Sequence, residues 1–326
     1  MNRRTFYTPL FIGSLWLCAV TAYALPITTS YVDNYQGAAP NGYTDVIAAS
    51  NQTNWFDITG ALVTLTDTQL QIDIVTDFMT TGLGSYTNLT KSINNQRPGI
   101  GAGDLFLSIG GWDPTGTEAN RYSTDSLKQS GTTQWTHALT LDNRWSSTGG
   151  TATLVELPTS TNNGYQSNDY SYILTAEDFM SSGIYRHNQA VAVKPNSATP
   201  VNTVTATWAP VTTVINGNSK NALRFSVDLM GTDLLGETLG VHWAMTCAND
   251  VIEFSLPLAS MTIPENRSST VPEPNSLLLL MSGLVLLWWH LKNQPGSMTA
   301  ISIQPKKSFN TASISFRSYA LRMLTG

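Results

Sequence analysis

The side chains that could carry chemistry in this sequence are few and scattered. His137, His187 and His242 lie far apart, and no His-x-x-x-His or Cys-x-x-Cys spacing is present to hold zinc locally. Glycine loops that cradle phosphate are absent, as is the Gly-x-Ser-x-Gly elbow of a serine hydrolase. The reading therefore assigns no metal, cofactor or catalytic residue. Asn249, Asp250 and Glu253 do bring three oxygen-bearing side chains close together in the chain, and Asp113 follows Trp112 in a second polar stretch. Either is a candidate calcium contributor. Neither has the spaced, glycine-containing loop of an EF-hand, so turn chemistry, in which Asn and Asp satisfy local backbone donors, is the simpler reading.

Glycoside hydrolysis requires two carboxylates at a fixed separation. Gln71-Ile72-Asp73-Ile74-Val75-Thr76 resembles in outline the E-x-D-x-x-E strand of laminarinase-like glycosidases, with Gln71 and Thr76 in place of the outer acids. An amide and a hydroxyl cannot exchange protons near neutral pH as that mechanism demands, so the departure argues against activity. The expectation is a non-enzymatic protein. The alternatives are a secreted carbohydrate-active enzyme using acids distant in sequence, or a calcium-dependent carbohydrate-binding module. For binding, flat aromatic faces beside polar groups suit sugar rings. Trp112, Trp135, Trp145 and Tyr185 are candidates, and Tyr165, Asn168, Asp169, Tyr170 and Tyr172 form the most suggestive patch.

The elements that must position these residues read as strands. Residues 25–270 are dense in Thr, Ser, Asn and Gly, with short Val-, Ile-, Leu- and aromatic-rich runs bounded by turn residues. Strands are expected over 55–66, 69–77, 104–109, 134–141, 201–208, 223–229 and 240–246. Apolar residues alternate with polar ones in 70–74 and 223–229, which predicts one buried face and one wet face. Along 241–247, Val241, Trp243, Met245 and Cys247 form an apolar face and His242 sits opposite. Asn-Gly pairs at 41–42, 163–164 and 216–217 favour antiparallel hairpins. One short helix is expected at 175–180, with Thr175 as cap and Asp178 at the third helical position. The fold class is mainly β: a single antiparallel β-sandwich domain, jelly-roll-like, over 25–270.

The two ends read differently. Arg3 and Arg4, an apolar run over 10–20 and the Ala22-Tyr23-Ala24 boundary have the form of a signal peptide over 1–24, cut by signal peptidase after Ala24 during general secretion. Such a cut removes Cys18 and leaves Cys247 alone, expected as a buried core residue. Near the other end, Val271-Pro272-Glu273-Pro274 precedes an apolar stretch over 277–289, and Trp288, Trp289 and Lys292 follow in the order of an interface belt and a cytoplasmic basic flank. The stretch is at the short limit for a membrane-spanning helix. The two prolines keep the segment before it extended.

This arrangement resembles the PEP-CTERM sorting signal, here 271–292. The resemblance implies an exosortase that recognises Val271, Pro272, Glu273 and Pro274 and releases the exported domain to the cell surface or matrix, with possible association with exopolysaccharide or biofilm. The segment His242-Trp243-Ala244-Met245-Thr246-Cys247 with Asn249-Asp250 and Glu253 is similar to the strand that closes other exported domains carrying that signal. The sequence departs from the pattern by continuing over 293–326, an acid-free basic tail expected to lack packed structure and to stay cytoplasmic. Charge fits export without nucleic acid. All 22 acids lie at or before Glu273, and seven of the 17 Lys and Arg lie in the two ends, so the middle is strongly acidic and repels phosphate backbones.

Overall fold

Alternating apolar residues require a partner surface, and the chain supplies it by rolling one long antiparallel sheet. The computed structural model describes residues 26–39, 45–47, 53–93, 95–162, 165–168, 171–183, 185–201, 204–258 and 276–293. The chain falls into two units, Met1–Pro264 and Glu265–Gly326.

In the first unit the strands are β1 (Ile27–Val32), β2 (Ile58–Thr66), β3 (Gln69–Thr76), β4 (Leu105–Ser108), β5 (His137–Leu141), β6 (Gly150–Glu156), β7 (Thr159–Asn162) and β8 (Tyr165–Asn168). They continue as β9 (Ile173–Thr175), β10 (Ala190–Val193), β11 (Thr199–Pro200), β12 (Ala206–Ile215), β13 (Asn218–Asp228), β14 (Thr238–Ala244) and β15 (Val251–Pro257). Short helices α1 (Thr53–Phe56), α2 (Phe78–Thr81) and α3 (Ala176–Phe179) interrupt them. The main sheet runs β1-β2-β3-β13-β12-β6-β5-β4-β14-β15, with β11 added beside β6. Its two edges come back together: Tyr31 of β1 stacks on Phe254 of β15, ring centroids 4.2 Å apart. The sheet is thus nearly closed, barrel-like and sandwich-like at once, around a core that includes Leu70, Ile72, Ile74, Leu223, Phe225, Trp208 and Trp243.

The β2-β3-β13-β12 half follows the alternation rule, with apolar residues inside and Gln71, Arg224 and Ser226 on the outer face. The Asn216-Gly217 hairpin also behaves as expected: φ is +51° and +77°, and Ile215 pairs with Asn218 around this two-residue primed turn. The helix over 176–179 forms with Thr175 N–H donating to Asp178 Oδ2 at 2.9 Å. Cys247 is fully buried and unpaired.

Two expectations need correction. First, Trp55 and Phe56 belong to α1, and β2 starts only at Ile58. Second, β12 begins at Ala206 rather than Val201 and does not end at Trp208 but continues through Pro210 to Ile215. The continuation is possible because β6 pairs with β12 only over 206–208, so beyond Trp208 one side of the strand is a free edge where proline is tolerated. The segment 241–247 is as read, with Val241, Trp243, Met245 and Cys247 in the main core and His242 opposite, but neither face is wet. His242 and Ala244 are as buried as Val241 and Trp243, because the β9-β10 hairpin, α3 and the loops around them cover the outer surface of β4, β5, β14 and β15. The covering layer contains the fully buried run Ala190-Val191-Ala192-Val193, too short and uniform to show a period. Asp104 locks it down: its buried carboxylate accepts N–H groups from Val193 (2.7 Å) and Leu141 (3.0 Å).

In the second unit, α4 (Ser276–Lys292) is a 17-residue apolar helix. Leu284 to Trp289 are all more than half exposed, and Lys292 Nζ lies 4.9 Å from the Trp288 ring centroid. Among the described residues no helix is long and apolar enough to cross a membrane.

Candidate functional site

The acids singled out near the end of the β-domain are both buried, and they do not act together. Three residues apart in extended chain, Asp250 and Glu253 project to opposite sides. Glu253 faces His242 across the β14-β15 pair, with Nδ1 and Oε1 2.7 Å apart. The ring's Nε2 lies 2.6 Å from the Ala190 carbonyl, which can only accept, so Nε2 carries a proton and the second proton is shared between Nδ1 and the carboxyl. Trp112 Nε1 donates to Glu253 Oε2 at 2.8 Å. Burial pushes the Glu253 carboxyl above its usual range, against the hydrogen bonds from His242 and Trp112. Every polar atom of this pair is occupied, so it holds the layers together and has nothing left for a ligand.

Asp250 enters a second group. One carboxyl oxygen each from Asp33, Asp45 and Asp250 lies within 4.8 Å of the others. The fully buried Arg186 faces them, its Nη2 3.6 Å from Asp250 Oδ1. Asp250 also accepts N–H groups from Ile58 (2.7 Å) and Val251 (2.9 Å), and Asp45 takes Arg121 Nη2 at 2.7 Å. Burial first, and then the charge of Asp45 on Asp33 and of Asp33 on Asp250, holds the two carboxyls well above the ordinary range. The cation of this cluster is the protein's own guanidinium. Asn249 contributes a turn carbonyl that accepts Ile47 N–H at 2.8 Å. Its side-chain Oδ1 is buried with no hydrogen-bond partner among the described residues, so the simpler reading fits Asp250, whose Oδ1 takes the adjacent Val251 N–H, and not Asn249. Asp113 is exposed, with its backbone N–H on Thr133 Oγ1.

The candidate sugar-stacking rings are mostly plugs. Trp135 is buried against Phe106 and His242, Trp112 packs on Tyr122 and Tyr35, and Trp145 Nε1 donates to the Gly99 carbonyl. Tyr185 packs beside His187 at 4.9 Å. Of the suggested patch, Tyr165 and Asn168 lie on β8, which pairs with β7, and Tyr172 is half-buried just before β9. Asp169 and Tyr170 fall outside the described residues, as do Ala22, Ala24, Val271, Pro272, Glu273, Pro274 and the 293–326 tail beyond Asn293.

Two concavities lie elsewhere among the described residues. An open groove of about 540 Å³ is lined by Thr140, Thr153, Lys194 and Asn196 with Asp104 and Arg144 at its floor. Arg144 Nη2 lies 3.2 and 3.3 Å from the two Asp104 oxygens, so the one acid there is fully committed. A smaller depression of about 190 Å³ contains Asp57, Asp77, Lys220 and Asn221. Asp77 Oδ1 accepts Asn221 Nδ2 at 2.7 Å, while burial, followed by the charges of Asp45 and Asp77, raises Asp57.

Of the three histidines that precede the C-terminal helix, His187 is an exposed partner of Glu177 (2.9 Å) and His242 is consumed as described. His137 alone meets two carboxylates, Glu156 and Asp233. No signal in the sequence could have found that group, since its members lie on β5, β6 and the loop before β14. No family model, curated protein or solved structure matches this chain.

Proposed function

We propose that the chain is an exported, non-enzymatic surface protein, whose sandwich-like β-module is delivered outside the cell through its C-terminal signal and held in or near an exopolysaccharide matrix. The observation that carries this reading is the order Val271-Pro272-Glu273-Pro274 followed directly by α4, an apolar helix with Trp288, Trp289 and Lys292 at its end. An exosortase is the processing partner, after signal peptidase and the general secretion machinery have exported the precursor. At 1.5 Å per residue α4 extends about 25 Å, roughly one turn short of a 30 Å hydrocarbon core. Local bilayer thinning and snorkelling of Lys292 accommodate that deficit at modest cost, which suits a temporary tether. The dense internal pairing of the module's buried acids supports a stable, inert scaffold over a catalyst. Replacing Pro272, Glu273 and Pro274 together with Ala tests the reading: the full-length form should accumulate in the inner membrane, and an unchanged processed surface product would sink it.

One observation favours a carbohydrate-active alternative: Asp57, with its raised pKa, shares a depression with Asp77. That depression is smaller than the ~300 Å³ at which ligand pockets begin. Hydrolysis of soluble glucans that disappears in D57N would establish this second reading, and no turnover in the wild type would end it.

A further inference from the structure

His137 opens β5 and is almost wholly buried, its side chain 3% exposed. Its two ring nitrogens meet different surroundings. Nδ1 lies 3.0 Å from Thr136 Oγ1. That hydroxyl accepts the Ile109 N–H at 3.1 Å and directs its own proton to the Leu107 carbonyl at 3.4 Å. In the tautomer in which the Thr136 hydroxyl accepts from the ring, Nδ1 carries the hydrogen and Nε2 presents a lone pair. Nε2 is buried and has no hydrogen-bond partner among the described residues. It nevertheless points at acid: Asp233 Oδ1 is 3.4 Å away, and Glu156 is the residue directly across from His137 in the β5-β6 register.

A neutral nitrogen lone pair facing two carboxylates is an arrangement of three electron donors. It is unfavourable as it stands and becomes favourable when a cation sits among them. One donor atom from each of His137, Glu156 and Asp233 lies within 4.8 Å of the others. Ligands on a tetrahedral zinc ion at about 2.0–2.1 Å are roughly 3.3 Å from one another. The remaining closure is small, and it falls on the two exposed acids, Glu156 and Asp233, while the buried imidazole stays fixed. Thr136 supplies the outer hydrogen bond that orients a metal-binding histidine.

We propose that His137 Nε2, Glu156 and Asp233 form a binding site for a divalent first-row transition ion, with zinc as the representative ligand. One imidazole and two carboxylates suit such an ion better than calcium, which takes six to eight oxygens. The site joins β5 and β6 to the loop between β13 and β14, whose Leu234 is buried in the main core. Ion binding therefore fastens a closing loop of the rolled sheet. Nothing in this site depends on sorting or processing.

The test is calorimetric titration of the full-length, tag-free chain with zinc chloride, alongside E156Q, D233N and H137Q, with visible absorption on cobalt loading as a report of coordination. One ion per chain is expected, with affinity falling at least tenfold in E156Q and in D233N and lost in H137Q, and with cobalt bands absent from all three. Because H137Q alters a buried residue, the two surface variants decide the matter if it fails to fold. No stoichiometric zinc binding, zinc affinity unchanged in both E156Q and D233N, or stoichiometric binding of calcium alone would each overturn the proposal.

Discussion

Arg224 of β13 stands directly opposite Asp73 of β3, and its Nε and Nη2 each meet one carboxylate oxygen at 2.7 Å. The carboxylate is 4% exposed and the guanidinium 35% exposed, so this two-pronged contact is the means by which a buried charge on a wet sheet face is neutralised. It also removes Asp73, the one acid kept from the glycosidase-like pattern, from any role as a free acid or base. Arg224→Ala should cost roughly 2–4 kcal/mol by leaving that carboxylate buried and alone. Arg224→Lys should lose less. Urea denaturation of the three proteins checks the order, and an unaffected R224A would show that the pair contributes nothing.

The Asp33 and Asp250 carboxyls, raised by burial and by neighbouring acids, make stability depend on pH in a defined direction. Both keep their protons to higher pH in the folded state than in the unfolded chain, where Asp titrates near 3.9. The folded form therefore binds more protons above that value, and stability falls as pH rises through the raised values. Carboxyls held low, those of Asp142, Glu177 and Asp228, act in the opposite sense but are fully ionised in both states above about pH 5.5. Asp33→Asn, placed among Asp45, Asp250, Arg121 and Arg186, should flatten the decline above the ordinary Asp range and stabilise the protein at the upper end of it. Unfolding midpoints across that range measure it, and parallel curves for the two proteins would refute it.

Burial pushes the Cys247 thiol up to about 12. Against an unfolded thiol near 8.5, that lowers the thiolate fraction at neutral pH by roughly three orders of magnitude before access is considered. In a Cys18→Ser background, the native protein should resist a disulfide reagent that labels it promptly in denaturant. Prompt labelling of the folded form would contradict the packing described.

Two glycines should respond differently to the same change. Gly217 has φ +77° and open space around it, so Gly217→Ala should cost about 1 kcal/mol, from backbone strain alone. A Cβ on Gly103 would lie 1.8 Å from the Ala244 carbonyl oxygen, against which no side chain can yield. Gly103→Ala should therefore be severe, on the order of 3 kcal/mol or more. Thermal melts of the two variants test the contrast, and equal losses would mean that the approach of the Gly103 segment to β14 is looser than it looks.

How much of this was legible before folding depended on whether a residue's role was local. The alternation in 70–74 and 223–229, the Asn216-Gly217 turn and the Thr175 cap each express a rule that operates over a few residues, and each placed its element well. Long-range pairing left weaker traces. Pro210 in β12 looks like a strand breaker until the end of the β6 pairing is known. His242 reads only as opposite the apolar face, and nothing in 240–246 announces that the 190–193 run will cover it. The candidate site shows the same limit. Asp250 and Glu253 were visible as acids, but their separation into two networks depends on Arg186 and Trp112, which arrive from distant loops. His137, Glu156 and Asp233 meet only through sheet register and a loop.

The measurement that bears most directly on the proposed function is mass spectrometry of the protein recovered from the cell surface and its surrounding matrix. The account predicts a product that begins at Leu25 and ends close to Pro272–Pro274, without the Ser276–Lys292 helix. A polypeptide found in the cytosol with both Met1 and Gly326 intact would contradict it.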